Sequence, residues 1–266
     1  MRYFDTHAHY FDSRFDTEWQ GSIEEHLDGL FQGELAGVVN VGTSLASSKA
    51  AIAQAMRHEN MYAAAGLHPG DAGDATAPFE EIKAIEALFA EPRHKLVAVG
   101  EIGLDYHFLP FDKDLQAECF YRQMEMAERL ALPVLIHDRE AHEDCLSMVR
   151  RFPKVRGVFH SYSGSTPMAE ELVSRGYMIS FSGTVSFKNA RRVKEVAAAL
   201  PKHAVMIETD CPYLAPHPHR GEINHSGLLP CTLAAISEVW QMDMEECASI
   251  LLENSWRFYG LDGRKE

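Results

Sequence analysis

The chain has 266 residues, 46% of them hydrophobic and 24% charged, a balance typical of water-soluble globular proteins and a length that suits eight β/α units. Its 39 acidic and 25 basic residues leave a formal charge of −14, which excludes non-specific polyanion binding through the overall field. Any nucleic acid must therefore be met by local basic residues or bound cations.

No run approaches the roughly 18 apolar residues of a membrane span, and no basic segment with an apolar core marks a secretory signal. The five cysteines are scattered and include no C-x-x-C pair, which reads as reduced thiols in a cytoplasmic protein. No obligatory protein partner is evident.

In chain order, short β-rich runs alternate with helical ones. "RYFDTH" opens the series, followed by "GVVNVGT" at 37–43, "MYAAAGLH" at 61–68 and "KLVAVGEIGL" at 95–104. "PVLIHD" at 133–138, "RGVFHSY" at 156–162, "GYMISFSG" at 176–183 and "AVMIETD" at 204–210 complete it. Several are nearly continuous Val, Ile, Leu, Ala and Gly, as parallel strands covered on both faces require.

Between them lie helical patterns such as 45–59, 79–91, 112–131, 143–152 and 189–200, and 228–261 reads as one or two closing helices. Eight strands with helices between predict an α/β fold, a closed (β/α)8 TIM barrel in a single domain over 1–266. The competing doubly wound sheet lacks a G-x-G-x-x-G after the first strand.

Polar residues recur at the strand ends. His7 and His9 end the first strand and His68 the third, while Glu101 lies at the end of "VAVGE" in the fourth. His137, His160 and Asp210 close the fifth, sixth and eighth. In a barrel these C-terminal ends meet at one face, the face where catalysis occurs.

Taken singly, a strand histidine is usually a hydrogen-bonded core residue, and a strand-end Asp is often a helix cap. Six such residues on five strands instead form a ligand set for two divalent ions: Mg²⁺, Mn²⁺ or Zn²⁺. No G-x-S-x-G elbow supports a serine nucleophile.

Asp5 shares a face with the two histidines in a regular strand, one layer deeper, and would support them. His68, in the turn "GLHPG", is expected to line the pocket and contact substrate. His26, His58, His94, His142 and His203 fall on helices or loops and read as solvated.

At "DTHAH", "GLHP", "VGEIGLDY", "LPVLIHDR", "FHSYSG", "ETDCPYLAP" and "NSWRFYGL" the chain closely resembles the TatD family of metal-dependent deoxyribonucleases, within the amidohydrolase-like barrels. The resemblance implies that His7, His9, Glu101 and Asp210 hold one metal, and Glu101, His137 and His160 a second. Glu101 would bridge them where related barrels use a carbamylated lysine; Lys95 sits at the other end of its strand. The chain departs from the family after "YLAP", where His225 and Ser226 replace an acid and a proline; this leaves substrate preference near that loop open.

The activity so implied is hydrolysis of DNA, as a 3′–5′ exonuclease on single strands, through a water activated by two metals. Asp210 and Glu101 would be the catalytic carboxylates, with Asp210 taking the proton of that water. Arg139 and Arg220 would clamp phosphate oxygens, and Tyr106, with His107 and Phe108, would stack on a base. Two alternatives stay open: an ester hydrolase such as a D-aminoacyl-tRNA deacylase, with tRNA as substrate, and a non-catalytic binding barrel.

Overall fold

The computed structural model describes residues 1–261. Its strands are β1 (Tyr3–Ala8), β2 (Leu35–Val41), β3 (Met61–Ala65), β4 (Leu96–Asp105), β5 (Val134–Arg139), β6 (Gly157–Phe159), β7 (Met178–Phe181) and β8 (Val205–Ile207). Each pairs in parallel with the next, in sequence order. The sheet meets itself where Ala8 bridges Cys211 and the Asp210 amide donates to the His7 carbonyl at 2.9 Å. This is the expected (β/α)8 barrel.

Side chains along the strands alternate between two apolar clusters, as a period of two dictates. Phe4, Tyr62, Ala64, Ala98, Leu135, Val158 and Met206 fill the barrel, and Phe258, Tyr259 and Leu261 of the C-terminal segment pack on the same cluster. Val38, Met61, Val99, Ile136, Phe159 and Ile179 join the cluster that packs against the helices. Fixing both sets determines the strand register, because a one-residue slip would exchange them.

Two helices not among those anticipated, Ile23–Gln32 and Thr166–Ser174, follow β1 and β6; each opens on a serine N-cap, Ser22 and Ser165. Four strands, β3, β6, β7 and β8, are shorter than their apolar runs. β3, β6 and β8 stop before His68, His160 and Asp210, so these residues sit within the first three loop positions beyond the ladder. Left-handed backbone at Ser161 (φ 41°) and Asp210 (φ 58°) turns the chain out of the sheet there.

A register shift between Asp5 and Ala8 breaks the regular alternation of β1. His7 and His9 still face the barrel mouth. Asp5 turns to the other side of the strand, accepting from the Thr209 amide and hydroxyl (2.9 and 2.6 Å) and from Ser226 Oγ (2.6 Å), and its carboxylate also takes the His7 amide at 3.4 Å. Gly103 (φ 141°) brings β4 against β5 so closely that a Cβ there would collide with the His137 carbonyl.

Candidate metal centre

At the C-terminal mouth of the barrel lies a cavity of about 800 Å³, lined among others by His9, His68, Glu101, His137, His160 and Asp210. Glu101 occupies its floor and is 3% exposed. Its two oxygens serve opposite sides. Oε2 lies 3.3 Å from His7 Nε2 and 3.6 Å from His9 Nε2. Oε1 lies 2.9 Å from both His137 Nδ1 and His160 Nε2. Asp210 Oδ1 completes the first side, 3.3 Å from His9 Nε2 and 3.8 Å from His7 Nε2.

The outer ring nitrogens show what the inner ones offer. His9 Nδ1 donates to the Val41 carbonyl at 2.7 Å, His137 Nε2 to Asp105 Oδ2 at 2.9 Å, and His160 Nδ1 to Glu208 Oε1 at 3.3 Å. A carbonyl or carboxylate can only accept, so each outer nitrogen carries a proton, and each inner nitrogen offers its lone pair toward the cavity, to a second proton or to a cation. Those lone pairs face carboxylate oxygens, which repel them unless a proton or cation lies between. Imidazoles oriented by outer acceptors around shared carboxylates are the arrangement of a metal centre, and the donor set fits divalent cations. His7 Nδ1 is buried without a partner.

A proton fills the place between ring and carboxylate where no cation does: burial would push His9, His137 and His160 down, yet the carboxylates hold the first two above the ordinary imidazole range and His160 well above it. Burial alone would push Glu101 up, but His160 and His68, with hydrogen bonds from His137 and His160, hold it well below the usual carboxylate range. Asp210 is also lowered: burial opposes this, but the hydrogen bond from His9 and the nearby His160 and His7 outweigh it. Both carboxylates are therefore anionic at neutral pH.

His68 stands apart. Its Nε2 lies 3.6 Å from Glu101 Oε1, and with Glu101 and His137 it is close enough to hold an ion. Yet its Nδ1 accepts from the Gly70 amide at 3.0 Å, which leaves the proton of the neutral ring on Nε2. As placed, His68 is a hydrogen-bond donor at the cavity wall, not a lone-pair ligand.

The remaining expected contacts divide. Arg139 lines the cavity, with its guanidinium 4.7 Å from the Phe108 ring centroid. Arg220 is not among the lining residues and rests 4.5 Å over Phe187. Tyr106 is not brought to the cavity: Phe111 stacks on its ring, Lys113 sits 3.9 Å from its centroid, and its hydroxyl donates to Asp144. Lys95 donates to the carbonyls of Ala55, His58 and Glu59, far along β4 from Glu101.

His58, read as solvated, is buried and bonded to Glu24 and Asp28 of the helix Ile23–Gln32, at 2.6 and 3.0 Å. Asp105 and Glu208, the buried carboxylates that orient His137 and His160, are not among the residues that spacing and resemblance single out. Their signal is positional: Asp105 lies four residues after Glu101, and Glu208 two before Asp210, each at the end of an apolar run.

The departure at 225–226 also has a place. Ser226 is fully buried, donating to Asp5 and accepting from Tyr10 Oη at 2.7 Å, and it does not line the cavity. His225 packs on Trp19 and accepts from His26 Nε2 or donates to it at 3.0 Å.

A family model described as TatD related DNase matches residues 4–260. The chain is 37% identical over 261 residues to the "uncharacterized metal-dependent hydrolase YabD" of Bacillus subtilis, covering 97% of this chain and 99% of the relative. It is also 37% identical over 234 residues to the "uncharacterized metal-dependent hydrolase TatD" of Mycobacterium tuberculosis, covering 85% and 87%. Among solved structures, the TatD homolog YjjV of Escherichia coli K12 superimposes with a TM-score of 0.86 at 28% identity, covering 97% of this chain and 98% of that one.

Proposed function

The chain belongs to the TatD-related DNase family of metal-dependent hydrolases, and on that premise we propose that it hydrolyses phosphodiester bonds of DNA, acting on single strands from the 3′ end. The observation that carries this reading is the division of Glu101 between His7 and His9 on one side and His137 and His160 on the other. His7, His9, Glu101 and Asp210 would hold one divalent ion, and Glu101, His137 and His160 a second. Two divalent cations, when bound, supply charge neutralisation on the phosphate and an acidified water.

The chain's own groups do the rest. Asp210, anionic and at the cavity wall, would accept the proton of the attacking water. Arg139 offers its guanidinium to phosphate oxygens from the rim. The His68 Nε2–H donates toward the Glu101 side, where a non-bridging oxygen would lie. Phosphodiester hydrolysis develops negative charge on oxygen, and these donors meet it without reorganising.

The test is an activity matrix on purified protein: Mg²⁺, Mn²⁺ and Zn²⁺ against 3′- and 5′-labelled single-stranded DNA, duplex DNA, and a D-aminoacyl-tRNA. Stepwise 3′ shortening that stops with chelator supports the proposal. Turnover of the aminoacyl ester with no oligonucleotide cleavage would overturn it. No helix of the described residues is long and apolar enough to cross a membrane.

A further inference from the structure

Among the described residues the large hydrophobics left exposed are Met56, Phe108, Leu109, Tyr213 and Leu214. Four of the five lie on two loops, those after β4 and β8, and Phe108, Tyr213 and Leu214 line the cavity. Phe108 is 64% exposed and Tyr213 44%. Apolar surface concentrated at the entrance of a polar, carboxylate-rich site is unfavourable in water and is explained by a ligand that covers it.

Each ring is also provided with a cation. Arg139 lies 4.7 Å from the Phe108 centroid, and Arg14, which also pairs with Glu18 at 3.0 and 3.2 Å, lies 5.7 Å from that of Tyr213. The Tyr213 ring is anchored through its hydroxyl, and Phe108 is held at its backbone. The Phe108 amide donates to Asp105 Oδ1, the carboxylate whose other oxygen orients His137. Tyr213 donates through its hydroxyl to Asp12 at 2.5 Å, and its ring lies edge-on to His9, 6.4 Å between centroids. Each aromatic face is thus tied to an expected metal ligand on one side of the mouth.

A flat apolar face flanked by a guanidinium matches one repeat of a single strand: a base to stack and a phosphate to pair. Duplex DNA offers no free base face. We propose that Phe108 and Tyr213 are base-stacking platforms on either side of the mouth, each with its arginine, Arg139 or Arg14, on the adjoining phosphate. An unpaired nucleotide would thereby be splayed out and its phosphodiester placed over Glu101. This rests on the nuclease reading and adds to it the source of the preference for unpaired strands.

The test uses the full metal-loaded protein and single-stranded oligonucleotides carrying 2-aminopurine near the 3′ end, whose fluorescence falls when the base stacks. Wild type should quench the probe. Phe108→Ala and Tyr213→Ala should lose the quenching and raise KM by roughly five- to 150-fold with kcat less affected, while Phe108→Trp restores both. Met56→Ala, in an exposed residue away from the cavity, should change neither. Cleavage with unchanged KM and quenching in both alanine variants overturns the platforms and leaves the nuclease reading standing. Absence of cleavage by wild type with every metal overturns both.

Discussion

His137 is held between two carboxylates: its Nε2 donates to Asp105 at 2.9 Å while its Nδ1 faces Glu101, also at 2.9 Å. Asp105 therefore decides which nitrogen of His137 presents a lone pair. The same carboxylate takes the His107 and Phe108 amides, so it also sets the loop after β4. Asp105→Ala should weaken metal binding by roughly 10- to 100-fold, the usual effect of losing an outer partner of a ligating histidine. Calorimetric titration with Mn²⁺ reads this directly, and an unaltered affinity would sink the role given to Asp105.

Glu101→Gln removes the charge that both histidine pairs share. The metal content per chain should fall, by elemental analysis after dialysis, and hydrolysis should drop on the order of 10³-fold. Wild type should melt several degrees higher with saturating cation than with chelator, because an ion bound only to the folded state adds about 2.7 kcal/mol at a hundredfold excess over Kd. The variant should show no such shift. A variant that keeps both its metal and its shift would contradict the shared-carboxylate geometry.

Ser226 donates to Asp5 at 2.6 Å and is buried beneath the loop after β8. Asp5, itself fully buried, is pushed up to about 6 by burial despite its hydrogen bonds from Ser226 and Thr209. Ser226→Ala should cost about 1–3 kcal/mol of stability in urea unfolding, the penalty of leaving a buried polar partner unpaired. Ser226→Pro should cost more, since it also removes the amide that donates to Tyr10 Oη at 2.8 Å. Metal affinity should stay as in wild type in the alanine variant; a large loss would place Ser226 in the centre after all.

His225 is pushed down to about 4, first by burial and then by the neighbouring His26 and His219, against Glu222. The unfolded chain protonates this ring near 6.5, so between pH 6.5 and 4 the unfolded state binds more protons. Stability therefore rises with pH across that window and is lost on acidification. His225→Asn should remove on the order of 1–3 kcal/mol of this pH dependence while retaining a side-chain acceptor for the Gly227 amide. Tryptophan fluorescence during urea unfolding at pH 7 and pH 4.5 measures it; equal pH slopes in variant and wild type would refute the assignment.

The barrel was legible because its pattern is local: eight apolar runs separated by helical periods leave few other ways to bury both faces of each strand. So was the meeting of His7, His9, Glu101, His137, His160 and Asp210, because strands closing in order bring corresponding ends together whatever the loops do. What the chain alone did not show depends on contacts between residues distant in sequence. Asp5 was placed on the histidine face by strict alternation, and a register shift against β2 sent it to Ser226 and Thr209 instead. Tyr106 and Phe108 are equivalent as letters, yet packing against Phe111 and Lys113 covers one and leaves the other open. Residue type and spacing determined the fold and the donors it gathers. Which ring nitrogen turns inward, and which aromatic face stays open, was decided only by neighbours that the tertiary structure supplies, since hydrogen-bond partners and burial belong to the folded chain.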